Sequence, residues 1–222
     1  MANLPLMRGL MKLFHPESIP WPGSIFYNAI SSTVIFQHHY ELAADDILSF
    51  RKEGSLLDIG TGPGWLLLAL QRKAPQMKLI GIDSSPAMVT KAMENTAGFE
   101  SIEIKEGNAD NIPFPDDCFD IVVSTVSMHH WKKPTVGLNE AYRVLKAGGF
   151  ALIYDLVSDM PQSILDDCRR KFGRLRTTLF WLHSFEEPFY SQQNFQALAR
   201  STSFGDCQTK FLGLLYCLIL KK

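Results

Sequence analysis

The apolar run Ser55-Leu56-Leu57-Asp58-Ile59 ends on three alternating glycines, Gly60, Gly62 and Gly64, and opens into a helical pattern at Trp65. This feature constrains the fold more tightly than any other stretch. A continuous apolar run of that length is what a strand buried on both faces requires, and such strands belong to parallel sheets covered by helices. Glycines at its end let the backbone turn sharply and approach a ligand, because no Cβ intervenes. In open α/β sheets ligands sit at the carboxyl ends of strands, where such turns lie.

The rest of the chain repeats the alternation. The pattern predicts a helix over Trp65–Lys73, a strand over Lys78–Ile82, and a helix over Pro86–Asn95 with Ser85 as N-cap. Ile102–Lys105 alternates apolar and charged, as an edge strand does, and Phe119–Ser124 is a fourth strand. A helix over Pro134–Leu145 is expected to end at Gly148-Gly149 before a fifth strand, Phe150–Tyr154. Strand–helix alternation implies a parallel sheet with right-handed crossovers. The tail departs from it: a helix near Gln192–Ser201 precedes two β-rich runs, Cys207–Leu212 and Leu214–Leu220. Runs joined so tightly around Gly213 must pair antiparallel.

One domain accounts for all 222 residues. A chain of this size buries roughly 70% of its unfolded surface and needs no metal or disulfide staple. The expected parts are residues 1–50 as a helical lid, 51–155 as a binding core, 156–191 as a helical insertion or lid, and 192–222 as a helix and hairpin. Within the first part, Leu4, Met7, Leu10, Met11 and Phe14 share one helix face, Pro16, Pro20 and Pro22 interrupt, and a second helical stretch runs from about Ser24 to Phe50. The four cysteines form no Cys-x-x-Cys pair, which points to reduced thiols and to no metal site. The N-terminus lacks the order of a secretory signal, and the apolar run Leu214–Leu220 is far short of the roughly 20 residues that span a bilayer. A cytoplasmic protein with no transmembrane segment is expected. A net charge of −1 gives no footprint for nucleic acid.

Two further loops accompany the glycine turn. Asp83 closes the second strand, where a carboxylate accepts hydrogen bonds from ribose hydroxyls. Asn108-Ala109-Asp110 follows the third strand and offers groups for an adenine edge, with Ile82 or Met88 against its face. Ordinary turns would use the same residue types, but three such loops in order converge on one nucleoside-sized ligand. The G-x-G-x-G spacing is not the G-x-G-x-x-G of a dinucleotide fingerprint, which sets aside a nicotinamide-dependent oxidoreductase.

The runs LLDIGTGPG, GIDSS, GNADNIPFPDDCFDIVVS and LKAGGFALIYD resemble, in order, the class I S-adenosylmethionine-dependent methyltransferases, close to the ubiquinone/menaquinone and small-molecule branch. The resemblance spans about Gly54 to Asp155. It implies a Rossmann-like sheet of seven strands in the order 3-2-1-4-5-7-6, with helices on both faces and an antiparallel C-terminal hairpin. It also implies S-adenosyl-L-methionine as cofactor. Asp58 would order the glycine turn and help hold the methionine ammonium, and Gly60, Gly62 and Gly64 would admit the methionine portion. Asp83 would bind ribose, Ala109 and Asp110 would meet adenine, and Thr125 would line the methionine side. Thr61, Ser84, Met88 and Asn108 complete the expected cofactor set.

Methyl transfer from a sulfonium is an in-line displacement that rests on positioning and water exclusion. A general base is needed only for an acceptor that is protonated at working pH. His129-His130-Trp131 follows the fourth strand, and His129 is the candidate base. The resembling family often carries a similar segment, so a structural role stays open. STVSMHHW lacks the [Asp/Asn]-Pro-Pro-[Tyr/Phe] and Pro-Cys motifs of nucleic-acid methyltransferases. The expected acceptor is therefore a small molecule, with a catalytically silent cofactor-binding scaffold as the alternative.

Specificity is expected in the first 50 residues and between Asp155 and Gln192, where such enzymes form a lid. Trp21–Tyr27 and Phe36–Tyr40 are aromatic-rich, either covering the acceptor or packing helices on the sheet. Arg169, Arg170, Lys171, Arg174 and Arg176, followed by Leu179, Phe180, Trp181 and Leu182, form either a solvated helix face or a site for an anionic or hydrophobic acceptor or a peripheral membrane contact. The oligomeric state is open.

Overall fold

The computed structural model describes residues 33–175, 177 and 189–222. The elements in order are α1 (Val34–Phe50), β1 (Ser55–Ile59), α2 (Trp65–Lys73), β2 (Lys78–Asp83), α3 (Pro86–Thr96), β3 (Ile102–Glu106), β4 (Phe119–Thr125), a 3₁₀ turn (Met128–His130), α4 (Pro134–Val144), β5 (Leu145–Asp155), α5 (Gln162–Phe172), α6 (Gln192–Arg200), β6 (Gln208–Leu212) and β7 (Leu215–Lys221). They build a seven-stranded sheet in the order β3-β2-β1-β4-β5-β7-β6. β1, β2, β3, β4 and β5 run parallel, and β7 is antiparallel to both β5 and β6.

Alternate residues of each central strand feed two separate cores. Leu56, Leu79, Ile121, Val123 and Leu152 pack with Ala43, Ala44 and Ile47 of α1 and Leu66, Leu67 and Leu70 of α2. Leu57, Ile59, Ile80, Val122, Ala151 and Ile153 face the other way, against Leu138, Ala141 and Val144 of α4 and Phe195 and Ala199 of α6. A strand covered on both faces needs apolar residues at every position, which is why SLLDI and FDIVV read as unbroken runs. Phe36 and Tyr40 lie in the first core, so the aromatics of that stretch pack α1 on the sheet.

His39 of α1 fastens the helix to the C-terminal hairpin. Its Nδ1 donates to Ile35 O at 2.7 Å, and its Nε2 accepts from Leu214 N at 3.0 Å. Gly213 makes that contact possible, since a Cβ there would come within 2.7 Å of the imidazole Nε2.

One expectation needs correction. Gly148-Gly149 lie inside β5 rather than before it, because α4 ends at Val144 and Leu145 is already extended. The pairing of β4 with β5 shifts register between Phe119 and Ile121. The glycines accommodate that irregularity: Gly148 has φ +78°, and a Cβ at Gly149 would crowd Asp120 O at 2.9 Å. Ser85 is the N-cap residue of α3, but its hydroxyl makes no capping bond. The basic run is also partly neutralised along α5, where Arg169 pairs with Asp166 and Arg170 with Asp167. The expected helix before Pro16, the Trp21–Tyr27 stretch, Arg176 and Leu179–Leu182 lie outside the described residues.

Candidate functional site

The chain runs outward from β1 to β2 and β3, then returns to β4 on the other side of β1. Such a reversal opens a crevice at the carboxyl ends of the two strands, where α/β sheets place their ligands. The glycine turn closes β1 at that point. Gly60 N and Thr61 N both donate to Ile82 O, at 2.8 and 3.0 Å. Gly62 N donates to Asp83 Oδ2 and Ser85 N to Asp83 Oδ1, each at 2.9 Å.

Asp83 therefore holds the turn from the neighbouring strand, a part in ordering it that had been expected of Asp58. The Asp58 carboxyl is buried, and its Oδ1 has no hydrogen-bond partner. Thr61 Oγ1 and Thr125 Oγ1 are buried without partners as well. Buried polar atoms are almost always satisfied, so each such exception calls for an explanation. Here all three belong to the segments closing β1 and β4. Burial pushes the Asp58 carboxyl up to about 7; the nearby Thr61 hydroxyl opposes the rise without reaching a hydrogen bond, and the Asp83 charge adds to it. Burial also raises Asp83, against the donors Ser85 N and Gly62 N.

The segment after β4 packs directly on the glycine turn. A Cβ at Gly60, where φ is +73°, would land on Ser127 Oγ. Trp131 Nε1 donates to the same hydroxyl at 3.3 Å, and the Trp131 ring occupies the space a side chain at Gly137 would need. Val126, which leads from β4 into this segment, has φ +51°. A β-branched residue there is a true outlier, of the kind that persists where surrounding contacts over-determine it. Its N–H donates to Tyr154 O at 2.8 Å.

His129 follows on the 3₁₀ turn and is buried. Its Nδ1 lies 2.9 and 3.0 Å from the two oxygens of Asp155, the last residue of β5. Its backbone N–H donates to Asp155 Oδ2 at 3.0 Å, and Leu156 N donates to Oδ1 at 2.8 Å. Asp155 had not been singled out from the sequence. The available signal was an acidic residue at the carboxyl end of the strand next to β4.

The loop after β3 is shaped by its own side chains. Asp110 N donates to Asn108 Oδ1 at 3.3 Å, and Asn108 bridges to Asn111. Asn108 thus gives one lone pair of its side-chain oxygen to the turn. Ala109 and Met88 are buried, whereas Asp83, Ser84 and Asp110 are half-buried. From α4, Glu140 Oε2 accepts from Ile112 N at 2.9 Å, and Arg143 donates to Ile112 O and Phe114 O at 3.0 and 2.8 Å. This clamp, also missed in the sequence, fixes the loop from outside. Among the described residues no group of His, Cys, Asp or Glu is arranged to hold a metal, and no helix is long and apolar enough to cross a membrane.

A family profile described as "Methyltransferase domain" matches residues 57–153. The chain is 34% identical over 131 residues to the chloroplastic 2-methyl-6-phytyl-1,4-hydroquinone methyltransferase 2 of Oryza sativa subsp. japonica, covering 57% of this chain and 37% of that protein. It is 32% identical over 169 residues to the ubiquinone/menaquinone biosynthesis C-methyltransferase of Geobacter sulfurreducens, covering 69% of this chain and 65% of the relative. The chain thus spans less than two thirds of the length of these relatives. A crystal structure from Methanococcus maripaludis, described as an S-adenosyl-L-methionine-dependent methyltransferase, superposes with a TM-score of 0.71 at 25% identity over 94% of both chains. The strand order, the glycine turn at the reversal point and these similarities agree: residues 57–153 form a methyltransferase domain, and the chain resembles the class I S-adenosylmethionine-dependent methyltransferases.

Proposed function

We propose that the chain transfers the methyl group of S-adenosyl-L-methionine to a small-molecule acceptor. The observation that carries the reading is the trio of buried, unpartnered oxygens on Asp58, Thr61 and Thr125 beside the glycine turn. A polar, cationic ligand entering there would supply the partners they lack. When bound, the cofactor supplies an electrophilic methyl group on a sulfonium that leaves readily.

The residues divide the ligand between them. Asp58, Thr61 and Thr125 take the methionine portion, with Gly60, Gly62 and Gly64 leaving it room. Asp83, already oriented by Gly62 N and Ser85 N, keeps lone pairs for the ribose hydroxyls, next to Ser84. Met88, Ala109 and Asp110 line the adenine, and the Glu140–Arg143 clamp holds their loop. The carboxylates of Asp58 and Asp83 also suit a positively charged donor.

The relatives' names, which speak of hydroquinones and quinones, support a small molecule as acceptor. The four free cysteines support a reducing, cytoplasmic setting. Calorimetric titration with S-adenosylmethionine, S-adenosylhomocysteine and NAD tests the reading: the first two bind and NAD does not. Asp83→Ala weakens binding by about 1.5–3 kcal/mol, the worth of hydrogen bonds to a charged group. Binding of NAD, or an undiminished affinity in Asp83→Ala, overturns the assignment.

A further inference from the structure

We infer that Asp155 is a positioning residue that makes His129 the general base for an acceptor presented as a protonated hydroxyl; this rests on the methyl-transfer reading above. The side chains of His129 and Asp155 are each 2% exposed. Desolvating a carboxylate is expensive unless its surroundings compensate. Among the described residues Asp155 is compensated by two donors of His129, its Nδ1 and its main-chain N, together with the adjacent Leu156 N. That arrangement fixes the tautomer. With Nδ1 donating to the carboxylate, Nε2 is the ring nitrogen that carries the lone pair, and among the described residues no hydrogen bond reaches it. A carboxylate behind an imidazole holds its orientation and stabilises the imidazolium that forms when Nε2 takes a proton.

The location agrees. His129 stands two residues beyond Ser127, which touches Gly60 of the glycine turn, on the β4–β5 side of the crevice. The backbone entering this segment is strained at Val126 and anchored there to Tyr154 of β5, so β4 and β5 jointly set where the imidazole sits. The other titratable neighbours among the described residues are His130, with ring centres 3.9 Å apart, and Tyr190, whose hydroxyl is raised by burial and by the Asp155 charge. Phe189 covers the ring at 4.4 Å.

The step balances without a co-reactant. Nε2 takes the hydroxyl proton as the acceptor oxygen forms its bond to the methyl carbon. The methyl–sulfur bond breaks with its electron pair kept on sulfur, and the proton later passes from the imidazolium to water. An acceptor that is already an anion, such as an aromatic thiolate, needs no such base.

Two measurements test this. Nitrogen-15 NMR of the protein bound to S-adenosylhomocysteine shows His129 with a proton on Nδ1 and none on Nε2, and Asp155→Asn moves the proton to Nε2. Steady-state methylation of hydroquinone and of thiophenol then separates base catalysis from packing. Asp155→Asn and His129→Gln lower kcat for hydroquinone by about 100-fold or more, leave KM for S-adenosylmethionine unchanged, and affect thiophenol little. A proton on Nε2 in the wild type, equal losses with both acceptors, or a wild type that binds the cofactor but does not methylate hydroquinone each overturns the inference. Absence of cofactor binding would instead overturn the methyl-transfer reading.

Discussion

His39 and His129 are buried to nearly the same degree, 5% and 6% exposed, yet the two corners of the molecule use them in opposite ways. His39 spends both nitrogens on main chain, donating to Ile35 O and accepting from Leu214 N. Burial holds its pKa down to about 4, with the Ile35 bond opposing and the charges of His38 and Lys171 assisting. It is a neutral fastener between α1 and the hairpin. His129 gives one nitrogen to a carboxylate, and among the described residues no hydrogen bond reaches the other. Burial alone therefore does not mark a working histidine; what marks it is an unused nitrogen behind an oriented partner.

The contrast breaks most visibly in catalysis. His129→Gln should lower kcat with a hydroxyl acceptor by about 10²–10⁴-fold, while calorimetry finds the cofactor affinity of the wild type. Unchanged turnover would make His129 a second fastener.

Acid should separate the two next. The unfolded chain protonates His39 near its ordinary value of 6.5 and the folded one only near 4, so the unfolded state binds more protons between those values. The stability this group confers is complete above pH 6.5 and is lost as pH falls towards 4. The loss is on the order of 3 kcal/mol, read from urea midpoints between pH 7 and 4. A His39→Leu variant should lack that component of the acid slope.

At neutral pH His39→Leu should itself cost about 2–3 kcal/mol, because Leu214 N loses its acceptor. Turnover per folded molecule should not change. The smallest effect is expected from Gly213→Ala. The φ of +60° and the approach to His39 predict a loss of about 1–2 kcal/mol, seen as a lower melting temperature with normal cofactor binding.

These differences also explain what could be read from the chain in advance. The central strands follow from local patterns such as SLLDI and FDIVV, each of which reports its own burial, whereas their order came from the family resemblance. The glycine turn and Asp83 are equally local. Asp155 is not, since its partner is 26 residues away in sequence and meets it only because β4 and β5 pair. The clamp of Glu140 and Arg143 on the loop after β3 has the same character. Gly148-Gly149 misled for another reason: glycine serves helix ends and strand irregularities alike, and only the pairing partner decides between them.

The unpartnered Oδ1 of Asp58 carries one more consequence. Burial pushes the carboxyl pKa up to about 7, which favours the protonated form far more than in an ordinary aspartate. A positively charged ligand arriving beside it favours the ionised form and expels that proton. Loading should therefore acidify an unbuffered solution, and the heat of binding should depend on whether Tris or phosphate absorbs the released proton. Each round of methyl transfer would then be accompanied by a proton leaving the pocket on loading and returning on unloading.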